Sequence, residues 1–457
     1  MYRALAPDLR LASVLPPGSL YAVGGRVRDE LRAERGGVHV RQKDLDYVAV
    51  GLTADDVRER LQTLGRVDLV GASFAVFKVT FDGQTVDVAL PRRERSSGLG
   101  HRDFDVEAGP QVSLEDDLAR RDFRMNMIAR ALPGGEIVDP YDGAADIAAH
   151  RIDIVTPQTF EEDPLRMLRA AQFAARFSYE LSERTRSAMI AAAALVRTVS
   201  AERAGDEFAK MFTKARHPSV GLEILRETGI LAHIWPELLE GYGMEQNEWH
   251  AYDVYTHNLR TLDASPPGDL VMRLAALLHD VGKARTKDGP HFYRHEIVGA
   301  EMAQEMLARL RFSNDVIERV THLVRMHMYS ADPDLGDAAL RRFVRRIGRD
   351  CVDRQFALRA ADIAGSGLQK RDDGNERFQQ RVYSEIARKP AFSIKDLQIG
   401  GAQVMERMVQ KGLVKPGFTG DRRVGEALTY LFEQVTDQPE RNQPESLLAL
   451  LDRYLGE

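Results

Sequence analysis

The chain has 457 residues, of which 44% are hydrophobic and 29% charged, and its net charge of -6 indicates no general affinity for nucleic acid. This composition is that of a folded protein of about three domains, and the single cysteine, Cys351, excludes a disulfide framework. The longest apolar run, residues 188–196, is half of what a bilayer span needs, and the first residues lack a signal-peptide core, so we expect a cytoplasmic protein without a membrane helix.

The predicted elements change in character along the chain. Short apolar runs bounded by Gly or Asp, such as Leu20–Val23, Tyr47–Val50 and Phe74–Phe81, predict strands in residues 1–150. After Asp163, apolar residues recur every three or four positions, which predicts helices. We therefore expect an α+β protein with a small mixed-sheet head at 1–150 and helical regions at 151–235, 236–385 and 386–457.

A glycine turn follows the first predicted strand. Gly24 and Gly25 come directly after Leu20–Val23, and a helix is predicted to begin near Val27. Adjacent glycines let the backbone approach an anion, a helix start offers free N–H groups, and Arg28 could bind phosphate oxygens. A triphosphate site is one interpretation, and a simple turn is the alternative.

Three aspartates in two predicted strands are candidate metal ligands. Asp44 and Asp46 are two residues apart, so in a strand they project to the same face. Asp87 lies in another predicted strand and could complete the set. Paired carboxylates suit Mg²⁺ or Mn²⁺, and two such ions would activate an attacking hydroxyl and stabilise a leaving pyrophosphate. The alternative is an edge strand with solvated acids.

The order of these motifs resembles a known family. Gly24–Asp29 followed by Asp44–Asp46 is similar to the start of the class II tRNA nucleotidyltransferases, the CCA-adding enzymes of the DNA polymerase β superfamily. Further segments resemble that family's Arg-Arg-Asp-Phe motif at 118–126, the end of its head at 139–147 and its nucleotide-selecting helix at 162–173. The resemblance implies tRNA, CTP and ATP as partners and a divalent ion in the head. Gln172 departs from it, since the family usually has arginine there, and Met127 replaces a usual alanine.

The nucleotide-selecting helix can also be interpreted from its residues alone. Asp163 and Pro164 are typical of a helix N-cap and first position, but Arg166 and Arg169 would place cations at a positive helix start. The resemblance implies that Asp163 and Arg166 pair with the base edge, and that Arg121 and Arg169 hold phosphate or sugar. A carboxylate accepts from the amine of cytosine or adenine, whereas uracil and guanine present a carbonyl there.

The basic segment Arg92–Arg102 is rich in Gly and Ser and is typical of a mobile surface loop. In the family, a flexible loop in this region helps the switch from C to A addition and is shortened in enzymes that add only C. Here it is of full length, which favours A addition, either after CC or as the only step.

A second metal site is predicted in the helical part. His279 and Asp280 end an apolar helix, and the pattern resembles the His-Asp (HD) phosphohydrolase domain, which some CCA-adding enzymes carry. That resemblance implies a ligand set of His257, His279, Asp280 and Asp362. A possible second ion would take His295 and His327. Nitrogen and oxygen ligands together suit Mn²⁺, Co²⁺, Ni²⁺ or Fe²⁺.

Two basic runs are candidate tRNA phosphate contacts, although such runs are more often solvated faces. They are Arg341, Arg342, Arg345, Arg346 and Arg349, and Arg407, Lys411, Lys415, Arg422 and Arg423. The sequence thus favours a tRNA nucleotidyltransferase that adds C and/or A. The alternatives are a split-function enzyme adding only A or only CC, a poly(A) polymerase, or an HD phosphohydrolase with a degenerate head. The oligomeric state is not predicted.

Overall fold

A computed structural model describes residues 2–36, 45–70, 76–96, 104–246, 251–368 and 374–456. The chain divides into two compact units. Unit 1 contains Met1–Leu239, Pro267–Leu270 and Met306–Ser313, and unit 2 contains Glu240–Pro266, Val271–Glu305 and Asn314–Glu457. Within the described ranges, every helix is too short or too polar to cross a bilayer. The finer division into four regions stays a prediction.

The head of unit 1 contains a seven-stranded sheet, which confirms the predicted α+β class. Its strands are β1 (Leu20–Val23), β2 (Asp46–Ala49), β3 (Arg66–Val70), β4 (Val76–Phe81), β5 (Gln84–Ala89), β8 (Ala129–Ala131) and β9 (Ile137–Val138), in the order β3-β4-β5-β2-β1-β8-β9. Between β5 and β8, β6 (Arg92–Ser96) and β7 (Phe104–Ala108) form a separate antiparallel pair. Two-stranded pairs also join β10 (Arg151–Ile152) to β11 (Glu180–Leu181) and β12 (Lys287–Asp288) to β13 (His291–Phe292).

The strand β6 corrects part of the loop prediction. Arg92–Ser96 is paired with β7 rather than irregular, and Arg93 lies 2.7 Å from Asp116 in an ion pair. Cross-strand pairing, which a search for apolar periodicity does not detect, therefore orders the start of this segment. The rest of it, residues 97–102, lies outside the described residues.

Twelve α-helices of the described chain precede Glu240. They are α1 (Ala6–Ala12), α2 (Gly25–Gly36), α3 (Ala54–Gln62), α4 (Leu114–Ala119), α5 (Gly143–Ala148), α6 (Thr159–Glu162), α7 (Leu165–Phe177), α8 (Glu183–Ala192), α9 (Ala201–Lys214), α10 (Ser219–Glu227), α11 (Leu231–Ile234) and α12 (Pro236–Leu239). Local chemistry explains several starts: Thr53 caps α3 and Ser113 caps α4, each accepting a hydrogen bond from a backbone N–H three residues on.

A buried ion-pair network holds the two strand ends that carry the head motifs. Asp8 on α1 receives hydrogen bonds at 2.8 and 2.7 Å from Arg26, which lies beside the glycine turn. It also accepts from the Tyr47 hydroxyl at 2.7 Å, and Tyr47 directly follows Asp46. The side chains of Arg26 and Asp8 are fully buried. Burial alone would raise the pKa of Asp8, but Arg26 holds it below the usual range.

After Leu239 the described residues are predominantly helical, as predicted. Its α-helices are α13 (Val254–Ala264), α14 (Leu270–Leu278), α15 (Lys283–Thr286), α16 (His295–Arg309), α17 (Asn314–Met326), α18 (Asp337–Ile347), α19 (Val352–Gly365), α20 (Asn375–Ala387), α21 (Gly401–Gln410), α22 (Arg422–Asp437) and α23 (Pro444–Tyr454). The Ser265–Gly268 cluster separates α13 from α14, because two consecutive prolines cannot continue a helix.

Candidate active site and metal centre

A cleft of about 470 Å³ in unit 1 brings together residues from distant parts of the chain. All seven residues of the predicted nucleotide site line it: Gly24, Gly25, Arg28, Arg121, Asp163, Arg166 and Arg169. They come from the turn after β1, the start of α2, the segment after α4 and the start of α7. The fold thus gathers the separate sequence motifs into one cavity.

The glycine turn gives the cleft its shape. Gly24 has φ +70°, which disfavours a side chain, and a Cβ there would lie 2.9 Å from Nη1 of Arg121. The helix α2 begins at Gly25, two residues before the predicted Val27, so its free N–H groups lie at the turn itself. Backbone approach and a helix start therefore coincide, as an anion site requires.

Arg28 is fixed in this cleft by neighbours on both sides. Its Nη1 donates to the Asn126 side chain at 2.7 Å, and its Nε donates to Asp29 at 2.8 Å. The residue is 5% exposed. A guanidinium held in this way is oriented before any ligand arrives, which lowers the entropic cost of binding.

Asp122 organises the floor of the cleft. One carboxylate oxygen accepts from Nε of Arg169 at 2.8 Å, and the other accepts from the Asn126 amide at 2.7 Å. Burial alone would raise the pKa of the Asp122 carboxyl, but the charge of Arg169 and the Asn126 hydrogen bond hold it below its usual range. The carboxylate is therefore charged near neutral pH and orients Arg169.

The proposed base-reading pair is held by protein partners. Asp163 accepts from Nη2 of Arg203 at 2.9 Å and from the backbone N–H of Leu165 at 3.2 Å. Arg166 donates to Glu162 at 3.0 Å and to the carbonyl of Arg120 at 2.7 Å. Each carboxylate oxygen has two lone pairs, so Asp163 keeps the capacity to accept from a ligand.

The helix start differs slightly from the prediction. Pro164 is the N-cap residue of α7 and Asp163 precedes it, one position earlier than expected. Asp163 still accepts a hydrogen bond from the first turn. Carboxylates of the protein, Glu162 and Asp122, pair with Arg166 and Arg169, which explains how these cations are tolerated near a helix N-terminus.

Several cleft residues were missed from the sequence. The basic ones are Arg176, Arg203, Lys210 and Lys214, and the acidic ones are Asp122 and Glu207. In total, the lining contains eight basic and three acidic side chains. Four of these residues recur on α9 at positions 203, 207, 210 and 214, which is the spacing of one helix face. This row of charged residues is the sequence signal that could have identified α9 as part of the site. The excess of cations in the lining suits a polyphosphate ligand.

Gln172 also lines the cleft, at the position where the family usually has arginine. Its side chain is 2% exposed, and its Nε2 has no hydrogen-bond partner among the described residues. An unpaired buried amide donor is costly, so this position has a donor to offer a ligand or a bound water.

The head aspartates are only partly described. Asp46 and Asp87 are register partners on the parallel strands β2 and β5, which places them side by side. Asp46 is exposed and Asp87 is half-buried, so both have contact with solvent. Asp44 lies outside the described residues. Adjacent accessible carboxylates fit a divalent cation, which prefers oxygen ligands.

All six predicted HD ligands meet in unit 2. Nε2 of His257 lies 3.0 Å from Asp362 and 3.2 Å from Nε2 of His279, and His279 lies 3.2 Å from Asp280. The second carboxylate oxygen of Asp280 lies 3.3 Å from His295 and 3.6 Å from His327. Asp280 therefore belongs to two groups of three ligands, each compact enough for one metal ion.

The tautomers of three histidines fit metal binding. The Nδ1 atoms of His279, His295 and His327 lie 2.9, 2.7 and 2.6 Å from backbone carbonyl oxygens. An imidazole that donates its Nδ1–H presents the Nε2 lone pair for coordination. The Nε2 atoms of His295 and His327 are 3.2 Å apart, so their lone pairs repel unless a cation lies between them. The donor set therefore fits a divalent metal.

Charges around Asp280 agree with this assignment. Burial alone would raise the pKa of Asp280, but His279 and Lys283 hold it well below its usual range. Burial opposes protonation of His279, yet Asp280 and Asp362 raise the pKa of His279 to about 10. A bound metal must displace that proton. Lys283, which lies 2.6 Å from Asp280, was missed as a site residue, although it stands one helical turn after the His-Asp pair.

The two basic runs are mainly paired with acids. Arg341 is 5% exposed and bound to Glu385, which excludes it as a surface phosphate contact. Arg345 pairs with Glu433 at 2.7 Å, and Arg422 pairs with Glu426 at 2.7 Å. Burial and these partners, which sequence spacing does not show, favour the interpretation of ordinary structural faces.

Three family profiles match consecutive parts of the chain. They are "Poly A polymerase head domain" at residues 20–153, "Probable RNA and SrmB-binding site of polymerase A" at 178–241 and "HD domain" at 250–363.

Solved structures support the same fold. The Bacillus stearothermophilus CCA-adding enzyme in complex with CTP aligns with a TM-score of 0.65 and 23% identity, over 95% of this chain and 93% of that chain. The Thermotoga maritima CCA-adding enzyme complexed with tRNA aligns with a TM-score of 0.58 and 17% identity, over 98% of both.

Closer relatives identify the family. The multifunctional CCA protein of Cupriavidus taiwanensis is 34% identical over 384 residues, which cover 81% of this chain and 88% of that protein. The multifunctional CCA protein of Ectopseudomonas mendocina is 32% identical over 421 residues, which cover 90% and 95%. The chain therefore belongs to the multifunctional CCA protein family, which confirms the resemblance of its motifs to the CCA-adding tRNA nucleotidyltransferases.

Proposed function

We propose that this protein transfers C and/or A from CTP and ATP to the 3′ end of tRNA and releases pyrophosphate. The observation that carries this proposal is the single cleft that all seven nucleotide-site candidates line. Its relatives are named for CCA, and the CTP and tRNA complexes are of proteins with the same fold. A cytoplasmic location is part of the proposal.

The head aspartates are the proposed metal ligands. Asp44, Asp46 and Asp87 would hold Mg²⁺ or Mn²⁺, and the side-by-side position of Asp46 and Asp87 supports this. When bound, such ions neutralise phosphate charge and lower the pKa of an attacking hydroxyl. The chain's own contribution is positioning: a tRNA 3′-hydroxyl must be held in line with the α-phosphorus of the nucleotide.

The cleft cations have two roles in this proposal. Gly24, Gly25 and Arg28 bind the triphosphate, because the turn, the helix start and a fixed guanidinium converge there. Arg121 and Arg169 bind phosphate or sugar, and their carboxylate partners Asp117 and Asp122 keep them in place. Such preorganised charges stabilise the charge that develops during phosphoryl transfer.

Base selection would rest on Asp163 and Arg166. Asp163 accepts from the exocyclic amine of cytosine or adenine, and Arg166 donates to the adjacent ring nitrogen. UTP and GTP would place a carbonyl oxygen against the carboxylate and be rejected. Arg203, which holds Asp163 at 2.9 Å, acts as a positioning residue.

Product length tests the nucleotidyltransferase directly. The protein is incubated with tRNA ending at the discriminator base, at C and at CC, with each nucleotide alone and combined. Growth to CCA and no further supports the proposal. Addition of only A or only CC identifies a split-function enzyme, and a long A tail identifies a poly(A) polymerase. Absence of any addition contradicts the proposal.

A second activity is supported by the two ligand triads that share Asp280. We propose that they bind Mn²⁺, Co²⁺, Ni²⁺ or Fe²⁺ and catalyse hydrolysis of a phosphomonoester or a 2′,3′-cyclic phosphodiester. The test is hydrolysis of p-nitrophenyl phosphate and 2′,3′-cyclic AMP by the wild-type protein with each metal in turn. No hydrolysis with any of the four metals would refute this activity.

A further inference from the structure

Three guanidinium groups surround one aromatic ring beside the cleft. The Phe177 ring centroid lies 3.8 Å from Cζ of Arg32, 4.8 Å from Cζ of Arg28 and 4.9 Å from Cζ of Arg176. Phe177 is 8% exposed, so the ring forms part of the core. Each guanidinium is attracted to the ring by a cation–π interaction. The three positive charges also repel one another.

Among the described residues, one carboxylate offsets these charges. Asp29 lies 2.8 Å from Arg28 and 3.5 Å from Arg32. Arg176 forms no ion pair with any residue in the described ranges. Burial, followed by the nearby charge of Arg28, lowers the pKa of the Arg176 guanidinium. The three arginines and Asp29 therefore carry a net charge of +2.

The uncompensated charge is accessible from the cleft. Arg28 and Arg176 both line it, and the Gly25 start of α2 lies beside Arg28, because a Cβ at Gly25 would be 3.4 Å from Nη2 of Arg28. Clustered guanidiniums next to a helix N-terminus are the donors that phosphate oxygens prefer. A single carboxylate ligand would neutralise only part of this charge.

We propose that Arg176, together with Arg28, forms a phosphate-binding site at the edge of the cleft, to which Arg32 adds positive charge from its contact with Phe177. The inference rests on the proposed nucleotidyltransferase function and extends it to Arg176 and Arg32, which neither the motifs nor the cleft's paired residues identified. The phosphate belongs either to the incoming nucleotide or to the RNA 3′ end, since both carry the same group.

Substitution of Arg176 distinguishes a phosphate of the incoming nucleotide from a phosphate of the RNA 3′ end. In Arg176→Gln, we expect the KM for one substrate to rise about tenfold, as for loss of a charged hydrogen bond. A rise for CTP and ATP assigns the site to the nucleotide, and a rise for tRNA alone assigns it to the RNA. Arg176→Lys should recover part of the loss. Arg58→Gln, an exposed arginine on α3, serves as the matched control.

Thermal unfolding separates binding from a purely structural role. Without ligand, Arg176→Gln should unfold at a higher temperature than the wild type, because charge repulsion is relieved. The rise in unfolding temperature caused by CTP or by pyrophosphate, or the retention of labelled tRNA on a filter, should decrease. These binding measurements need no turnover, so they decide the inference even if the wild type adds no nucleotide. Unchanged KM values together with unchanged CTP, pyrophosphate and tRNA binding would overturn it.

Discussion

The nucleotide cleft of unit 1 and the histidine cluster of unit 2 are both built from charged side chains, but in opposite ways. In the cleft, arginines are paired with protein carboxylates around an open volume, as Arg169 is with Asp122. In the cluster, ligand atoms converge on one another, and Nε2 atoms of His295 and His327 lie 3.2 Å apart. Protein partners orient the arginines of the cleft, although its lining keeps an excess of cations, whereas the cluster is incomplete without a cation.

The two sites therefore depend on different partners. Ion pairs in the cleft orient donors before a ligand binds, so its geometry should survive without metal. The cluster keeps its lone pairs apart only with a metal or a proton between them. The two activities should therefore respond independently to substitution of the residues at each site.

The largest expected effect is the loss of the metal site in Asp280→Ala. Both triads share Asp280, so we expect bound Co²⁺, Ni²⁺ and Fe²⁺ to fall below detection and phosphohydrolase activity with them. Metal content is measured by elemental analysis of the purified protein. Nucleotide addition should continue at the wild-type rate. Asp288→Ala, on the exposed β12 strand, is the control. Retention of Co²⁺, Ni²⁺ or Fe²⁺ by Asp280→Ala would contradict the assignment of the triads.

The next largest effect is expected on the stability of the head, which the buried ion pair of Asp8 and Arg26 supports. Asp8→Asn removes one of the two carboxylates paired with the buried Arg26 and leaves Glu30, so we expect a loss of about 3 kcal/mol in the free energy of unfolding at pH 7. The folded pKa of Asp8 is lowered, so its contribution is present above the unfolded pKa of about 3.9 and is lost as pH falls through the folded pKa. Urea unfolding at several pH values should show the variant and wild type converging in acid. A difference in unfolding free energy between variant and wild type that is independent of pH would contradict this role of the Asp8 carboxylate.

Base selection should change by a smaller amount. In Asp163→Ala, we expect discrimination against UTP to fall by about 1–3 kcal/mol, or roughly 5- to 150-fold, because the carboxylate no longer opposes the carbonyl. Primer extension with each nucleotide alone measures it. Arg203→Gln, which removes the 2.9 Å partner of Asp163, should produce a weaker change in the same direction. If Asp163→Ala discriminates as the wild type does, the template role is wrong.

The smallest effect is expected at Gln172. Replacing this buried residue by the arginine usual in the family should lower the KM for nucleotide about fivefold, the size of one added hydrogen bond, without changing the preference among bases. Steady-state kinetics with CTP and ATP test this. Gln172→Met, which lacks the amide and has a similar length, is the paired variant. A changed base preference in Gln172→Arg would show that this position reads the base.

Local sequence patterns predicted much of the fold and of the cleft. The strand Leu20–Val23, the break at Ser265–Gly268 and the α+β class are confirmed. Gly24, Arg28 and Asp163 occur in short motifs whose residue types already indicate phosphate or base contacts. The resemblance implied that these residues contact a bound nucleotide, and their roles remain predictions.

What the sequence did not predict depends on packing between distant segments. Arg203 reaches Asp163 only because α9 lies along α7, 40 positions apart in the chain. Arg341 is buried by its bond to Glu385, which spacing in α18 cannot show. The three arginines around Phe177 come from α2 and α7, and their shared ring is a tertiary contact.

The most direct test is Asp46→Ala, assayed for both activities in one preparation. If the head carboxylates hold the ions for nucleotide transfer, addition of C and A to tRNA should fall by about a thousandfold or more, while metal-dependent phosphate hydrolysis by the histidine cluster stays at the wild-type rate. Addition of C and A at the wild-type rate would contradict the proposed role of Asp46 as a ligand of these ions.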